Sequence, residues 1–221
     1  MKSKTKILFG GILGALFAVW ILLLKTVDVA PAGDSRTEVG FSGLNQAFFD
    51  AFHGHTTLYS LTEVLGIAAI LVAGVFALLG LWQTIRRHNP LKADREILAL
   101  GGLYIVFGVL YVLFEIFVVN CRPVIMPDAA EAEASFPSTH TVLICVIMGS
   151  AIMVLPKYIK NAFLCRVLQV LCGIAIAVTV LGRLFSGVHW LTDIIGGVLL
   201  SGALLFVFSG VLGLLNEKPE S

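Results

Sequence analysis

Three short groups of polar residues lie at the edges of hydrophobic segments. They are Arg122-Pro123, Pro137-Ser138-Thr139-His140, and Arg183-x5-His189-x3-Asp193. They stand in a chain of which only 13% is charged, against roughly 25% in soluble domains. Polar side chains beside apolar spans are costly and are candidates for function. The set suits phosphate chemistry. Guanidinium groups bind the anion, one imidazole attacks phosphorus, and a second protonates the leaving oxygen.

His189 and Asp193 are four residues apart, so on a helix they share a face. A carboxylate there accepts from one ring nitrogen and leaves the other free to attack. The same spacing also fits a structural pair capping the start of a span. Arg183 precedes His189 across Phe185-Ser186-Gly187, where Gly187 permits a return turn. A guanidinium at the end of an apolar span needs an anion or must snorkel to water. Ser138 is a good helix N-cap, and its hydroxyl with the Thr139 and His140 amides can cradle an anion. A plain cap with a surface histidine is the alternative. Pro123 ends a helix, while Arg122 can grip two phosphate oxygens at once.

The elements that must position these residues are membrane helices. Hydrophobic residues make up 58% of the 221, and the mean hydropathy is +0.96. In lipid only helices or closed barrels satisfy the backbone, and long unbroken apolar runs select helices. Six spans are predicted: 7–24, 61–82, 97–119, 141–155 (starting as early as Ser138), 167–184 and 191–215. The fold class is all-α, in one domain over residues 1–221. Leu44, Ala47, Phe48, Ala51 and Phe52 fall at helical spacing in the first outer loop and predict a short helix on the membrane surface. Ala30-Pro31-Ala32 resembles a signal cleavage site. The 7–24 segment is longer than the ~7–15 residues of a signal core, however, and reads as a retained anchor.

Of the 15 lysines and arginines, only Lys25, Arg36, Arg122 and Arg183 fall on the outer side of this topology. Lys2, Lys4, Lys6, Arg86, Arg87, Lys92, Arg95, Lys157, Lys160, Arg166 and Lys218 fall on the other. The positive-inside rule then puts both termini in the cytoplasm, with the polar groups facing outward across a plasma membrane. A net charge of +1 gives no indication of a nucleic-acid partner. Cys121, Cys145, Cys165 and Cys172 show neither CxxC nor metal spacing. Cys145 and Cys172, inside apolar runs, read as small hydrophobes.

Together the motifs resemble the type 2 phosphatidic acid phosphatase superfamily, which shares its core with vanadium haloperoxidases. Its signature is Lys-x6-Arg-Pro, Pro-Ser-Gly-His and Ser-Arg-x5-His-x3-Asp. The resemblance runs from about Thr62 to Leu200. It implies that His189 is the nucleophile and forms a phosphohistidine, that Asp193 orients it, and that His140 is the general acid and then the base. Arg122, Arg183, Ser138 and the Thr139 amide would hold the phosphoryl oxygens, with no metal and no cofactor. The implied substrate is a lipid phosphate or polyprenyl diphosphate. Attack by an alcohol instead of water would make a phosphotransferase.

Three positions depart from the signature. Thr139 replaces glycine, Gly182 replaces serine, and Glu115 stands where the lysine would be. Seven residues is two helical turns, so Glu115 is expected on the Arg122 face, within the membrane zone, neutral or paired with a cation. Glu115 would then either position Arg122 or another basic group and leave the chemistry intact, or weaken phosphate binding and mark a changed substrate or lost catalysis, and lost catalysis favours a non-catalytic lipid-phosphate binder or transporter. A general channel would want polar residues through the middle of the spans, where Thr179, Ser201 and Glu115 are the few found. Asp128, Glu131 and Glu133 form an acidic stretch that reads as a solvated loop face, as a contact for a basic or hydroxyl-rich headgroup, or as a device that excludes overly anionic substrates.

Overall fold

The computed structural model describes residues 1–52, 54–126 and 129–217. In chain order its elements are α1 (Ser3–Leu24), β1 (Ala30–Ala32), β2 (Thr37–Val39), α2 (Ser42–Phe52), α3 (Thr56–Arg87), α4 (Arg95–Ile116), α5 (Thr139–Tyr158), α6 (Ala162–Phe185) and α7 (Leu191–Asn216). All but α2 among the helices are long and apolar enough to cross a bilayer. Five of the six predicted spans fall wholly within these helices. The third overshoots, because α4 stops at Ile116 instead of reaching Val119. Beyond it runs Val118-Val119, a β-branched pair that favours extended backbone. The Lys25 ammonium, 2.6 Å from the Val119 carbonyl, takes up an acceptor of that segment.

The central helix is α5. Of its most hydrophobic window 61% is buried by protein, against 11–28% for the other five. Those five therefore present most of their apolar side chains to lipid, and α5 is packed on nearly all sides. α1 lies along α7. A Cβ on Gly10 would stand 2.6 Å from Val207 Cγ2, and one on Gly210 would stand 2.5 Å from Ile7 Cγ1. Small residues thus let these two backbones approach closely, where dispersion rather than hydrophobic burial drives association. Ser3 donates to the Glu217 carboxylate (2.6 Å), so both chain ends lie at one end of the bundle.

That same end carries a polar junction. Asp94 accepts from Arg87 (2.9 Å), Gln83 (3.0 Å) and Tyr158 (3.0 Å), tying α3, α4 and α5 together. Burial pulls the Asp94 carboxyl upward, but these bonds and the Lys157 charge outweigh it and hold it below its usual value.

At the opposite end, β1 and β2 form an antiparallel hairpin in which Ala30 faces Val39 and Ala32 faces Thr37. Its turn uses Gly33 and Arg36 at positive φ. This hairpin is absent from the sequence expectation. The short helix is present as α2, begun by Asp28, which accepts from Ser42 Oγ (3.0 Å) and the Gly43 amide (2.8 Å). Its inner face is held against the head of α7. The buried Asn45 bonds Thr192 Oγ1 (3.0 Å), and Phe49 packs on Trp190 with ring centroids 5.9 Å apart.

Candidate active site

The loop from α4 to α5 carries Arg122, and several backbone bonds hold it in place. Cys121 pairs with Ala134 in an isolated antiparallel bridge, and the Arg122 amide bonds the Glu133 carbonyl (2.9 Å). From the hairpin turn, Ser35 donates through its hydroxyl to the Arg122 carbonyl (2.7 Å) and through its amide to the Pro123 carbonyl (2.9 Å). Trp190 donates its indole N–H to the Cys121 carbonyl (2.8 Å). The hairpin, the loop and the α6–α7 turn thus lock one another, and Arg122 projects from the place where they meet.

Ser138 is the N-cap of α5, though its hydroxyl caps nothing. Instead it accepts from Thr141 Oγ1 (3.1 Å), while the Ser138 amide bonds the Asp193 carbonyl (3.2 Å). Ser138 is fully buried, and Thr139 and His140 are half-buried beside it. The first-turn amides of a helix have no intrahelical acceptor, and here they open the central helix.

Asp193 lies in the first turn of α7, whereas His189 precedes that helix in the turn after α6. The pair therefore does not share a helix face as the spacing suggested. Asp193 accepts from the Trp190 amide (3.1 Å) and from Asn120 Nδ2 (3.0 Å). It caps α7 and also sits 3.8 Å from His189 Nδ1, an ion-pair distance longer than a hydrogen bond. The capping role and the histidine-facing role coexist in one side chain. Burial pushes the His189 imidazole down to about 4. Asp193 pulls it upward, and Arg122 and Arg183 oppose that pull. The ring is consequently neutral at pH 7, as a nucleophile requires.

Arg183 is completely buried and does not snorkel. Its guanidinium contacts the Glu63 carboxylate and lies over the Tyr59 ring, 5.0 Å from the centroid. Glu63 Oε1 also stands 3.4 Å from His140 Nε2. Two glycines allow this. A Cβ at Gly182 would come within 2.6 Å of Thr62 Cγ2, and one at Gly66 would come within 3.0 Å of His140 Cδ2. Gly182, the departure from the family serine, thus gives α3 room against α6, next to the Glu63–Arg183 contact.

Two expectations are corrected. Glu115 does not share a helical face with Arg122, since α4 ends at Ile116 and Arg122 lies in a loop. Glu115 is exposed and makes no polar contact with a described residue. The carboxylate beside Arg122 is Glu133, with Oε2 3.2 Å from Arg122 Nε. Glu131 is exposed, and Asp128 lies outside the described residues. The sequence reading also missed Glu63. Its signal was present, an acid in the first turns of an apolar span, where charge is expensive.

Arg122, His140, Arg183 and His189 come together. Both arginines act electrostatically on both histidines. Arg122 Nε and Nη1, Arg183 Nε and Nη1, His140 Nδ1 and both His189 ring nitrogens are buried without a hydrogen-bond partner. Among the described residues, the only other such side-chain atom is Thr179 Oγ1. Buried polar atoms are ordinarily paired. Their concentration in four side chains that act on one another is an arrangement chemically suited to an anion. A groove of about 360 Å³ between α3, α4 and α5 leads away from it, lined by Glu63, Thr139 and His140 and then by apolar residues including Ile67, Ile70 and Phe107.

The chain matches the PAP2 superfamily over residues 96–215 and belongs to it. Among solved structures it is similar to a transmembrane PAP2-type phosphatidylglycerolphosphate phosphatase from Bacillus subtilis. That likeness has 16% identity and a TM-score of 0.62, and it covers 99% of each chain. At that identity it shows the fold, a polytopic membrane bundle. Comparison with curated proteins gives no match. Family and fold together support a membrane lipid phosphatase.

Proposed function

We propose that this protein removes phosphate from a lipid at the membrane surface through a covalent phosphohistidine on His189. The observation that carries the reading is the cluster of buried nitrogens on Arg122, Arg183, His140 and His189 that have no hydrogen-bond partner, even where a carboxylate stands at ion-pair distance. The two guanidinium groups, with Ser138 and the Thr139 amide, hold the phosphoryl oxygens. His140 takes up a proton as the phosphate dianion binds beside it. His189 Nε2 then attacks phosphorus as the bond to the lipid oxygen breaks, and the His140 imidazolium gives that oxygen the proton. Water then attacks the phosphohistidine while His140 takes the water proton, which releases phosphate and restores His189. Asp193 holds the His189 ring and faces the positive charge that develops on it. The reading needs no metal, because two guanidinium groups supply the positive charge.

The apolar groove between α3, α4 and α5 lets a lipid tail remain in the bilayer while its phosphate reaches His140. The excess of lysine and arginine at the opposite end supports a plasma-membrane orientation with both termini cytoplasmic and the site outward. The test is phosphate release from a panel of lipid phosphates by purified protein without divalent metal. His189→Ala should lower turnover by at least about 10³-fold, and the acid-labile phosphoenzyme trapped from wild type should vanish. Equal phosphate release by wild type and His189→Ala would sink this function.

A further inference from the structure

The charge at the site is smaller than its two arginines suggest. Arg183 is completely buried, and its guanidinium is in contact with Glu63. Arg122 Nε faces Glu133 at 3.2 Å. The Glu133 side chain is 53% exposed and so is well screened, whereas that of Glu63 is 39% exposed and lines the groove. Position 115, where the superfamily signature has a lysine, holds a glutamate that makes no polar contact with a described residue. Two carboxylates (Glu63, Glu133) therefore face the two guanidinium groups, and a third, Asp193, faces His189.

Glu63 also stands on the leaving-group side. It lines the groove together with His140 and Thr139, and its Oε1 is 3.4 Å from His140 Nε2. In a lipid monophosphate, the oxygen that departs there carries an uncharged glycerol or alcohol. In a lipid diphosphate, the departing group is itself a phosphate and brings further negative charge up against the Glu63 carboxylate. Like charges at this range in a poorly solvated groove are strongly unfavourable. The two leaving groups also differ in their need for an acid. An alkoxide is a poor leaving group and requires the proton of His140, whose ring Glu63 restrains, while a phosphate departs readily without it.

Resting on the phosphatase reading, we infer that Glu63 determines specificity: by neutralising part of Arg183 and bordering the leaving-group side, it selects lipid phosphomonoesters over lipid diphosphates. Both of its effects push the ratio of the two activities the same way.

The test compares kcat/KM for a monophosphate and a diphosphate carrying the same prenyl tail. Wild type, Glu63→Gln, Glu63→Asp and His189→Ala are each measured, with p-nitrophenyl phosphate as a substrate whose leaving group needs no proton. Wild type should favour the monophosphate by roughly tenfold or more, a comparison that requires no variant to fold. Glu63→Gln should reduce that preference by roughly tenfold, with p-nitrophenyl phosphate hydrolysis above the His189→Ala level showing that the variant is folded and active, and Glu63→Asp should restore the preference in part. Equal use of both lipids by wild type, or an unchanged ratio in active Glu63→Gln, overturns the role of Glu63 and leaves the phosphatase standing. Release from neither lipid above the His189→Ala level overturns the phosphatase and the role of Glu63 with it.

Discussion

Burial pushes the His189 imidazole down while two guanidinium groups bear on it. In the proposed mechanism that one environment both readies the ring for attack and draws in the phosphate. The Trp190 amide and Asn120 Nδ2 donate to Asp193 and hold its carboxylate beside that ring. Glu115 is the contrasting residue. It occupies the place of a lysine in the superfamily signature, yet it is exposed and makes no polar contact with a described residue. Glu115→Gln should therefore leave kcat/KM for a lipid phosphate within about twofold of wild type, as for surface substitutions generally. A loss above about tenfold in folded protein would show that this carboxylate reaches the chemistry.

Each functional side chain sits where an element starts or stops. Arg183 is in the last turn of α6, Ser138 opens α5, Asp193 opens α7, and Glu63 lies near the start of α3. Their relative placement depends on how the helices are clamped at the far end. There Asp94 joins α3, α4 and α5. Asp94→Asn should lower stability by about 1–2 kcal/mol, the usual loss when bonds to a charged group are weakened. Because the native Asp94 carboxyl is held below its ordinary value of 3.8, its contribution is complete above that pH and disappears as pH falls through the lower native value. The gap between wild type and Asp94→Asn, followed by thermal melting in detergent, should persist at pH 7 and at pH 5. It should close only in stronger acid. A gap that closes already at pH 6 would contradict this sign.

The six long helices place both chain ends at one end of the bundle and the site at the other. With the lysine and arginine bias, this arrangement has a direct readout. In a cysteine-free background on intact cells, a membrane-impermeant maleimide should label a cysteine replacing the exposed Glu131 and spare one replacing the exposed His88. The reverse pattern would invert the orientation and move the site to the cytoplasmic face.

The number of helices and the motif residues were legible in the sequence, because lipid imposes one strong rule. An apolar run of about 20 residues must be a helix, and a polar residue beside it needs a reason. Amphipathic spacing also revealed α2. Three features were decided only in three dimensions. The carboxylate facing Arg122 is Glu133, because α4 ends early and the chain doubles back. His189 lies off the helix that carries Asp193. Glu63 meets Arg183 and His140 across 120 and 77 positions of sequence. Periodicity records which face of a helix is apolar, but it does not record which helices touch. That choice is made by packing, here by Gly66 and Gly182 leaving room for α3, and so the charge balance of the site became visible only in the folded chain.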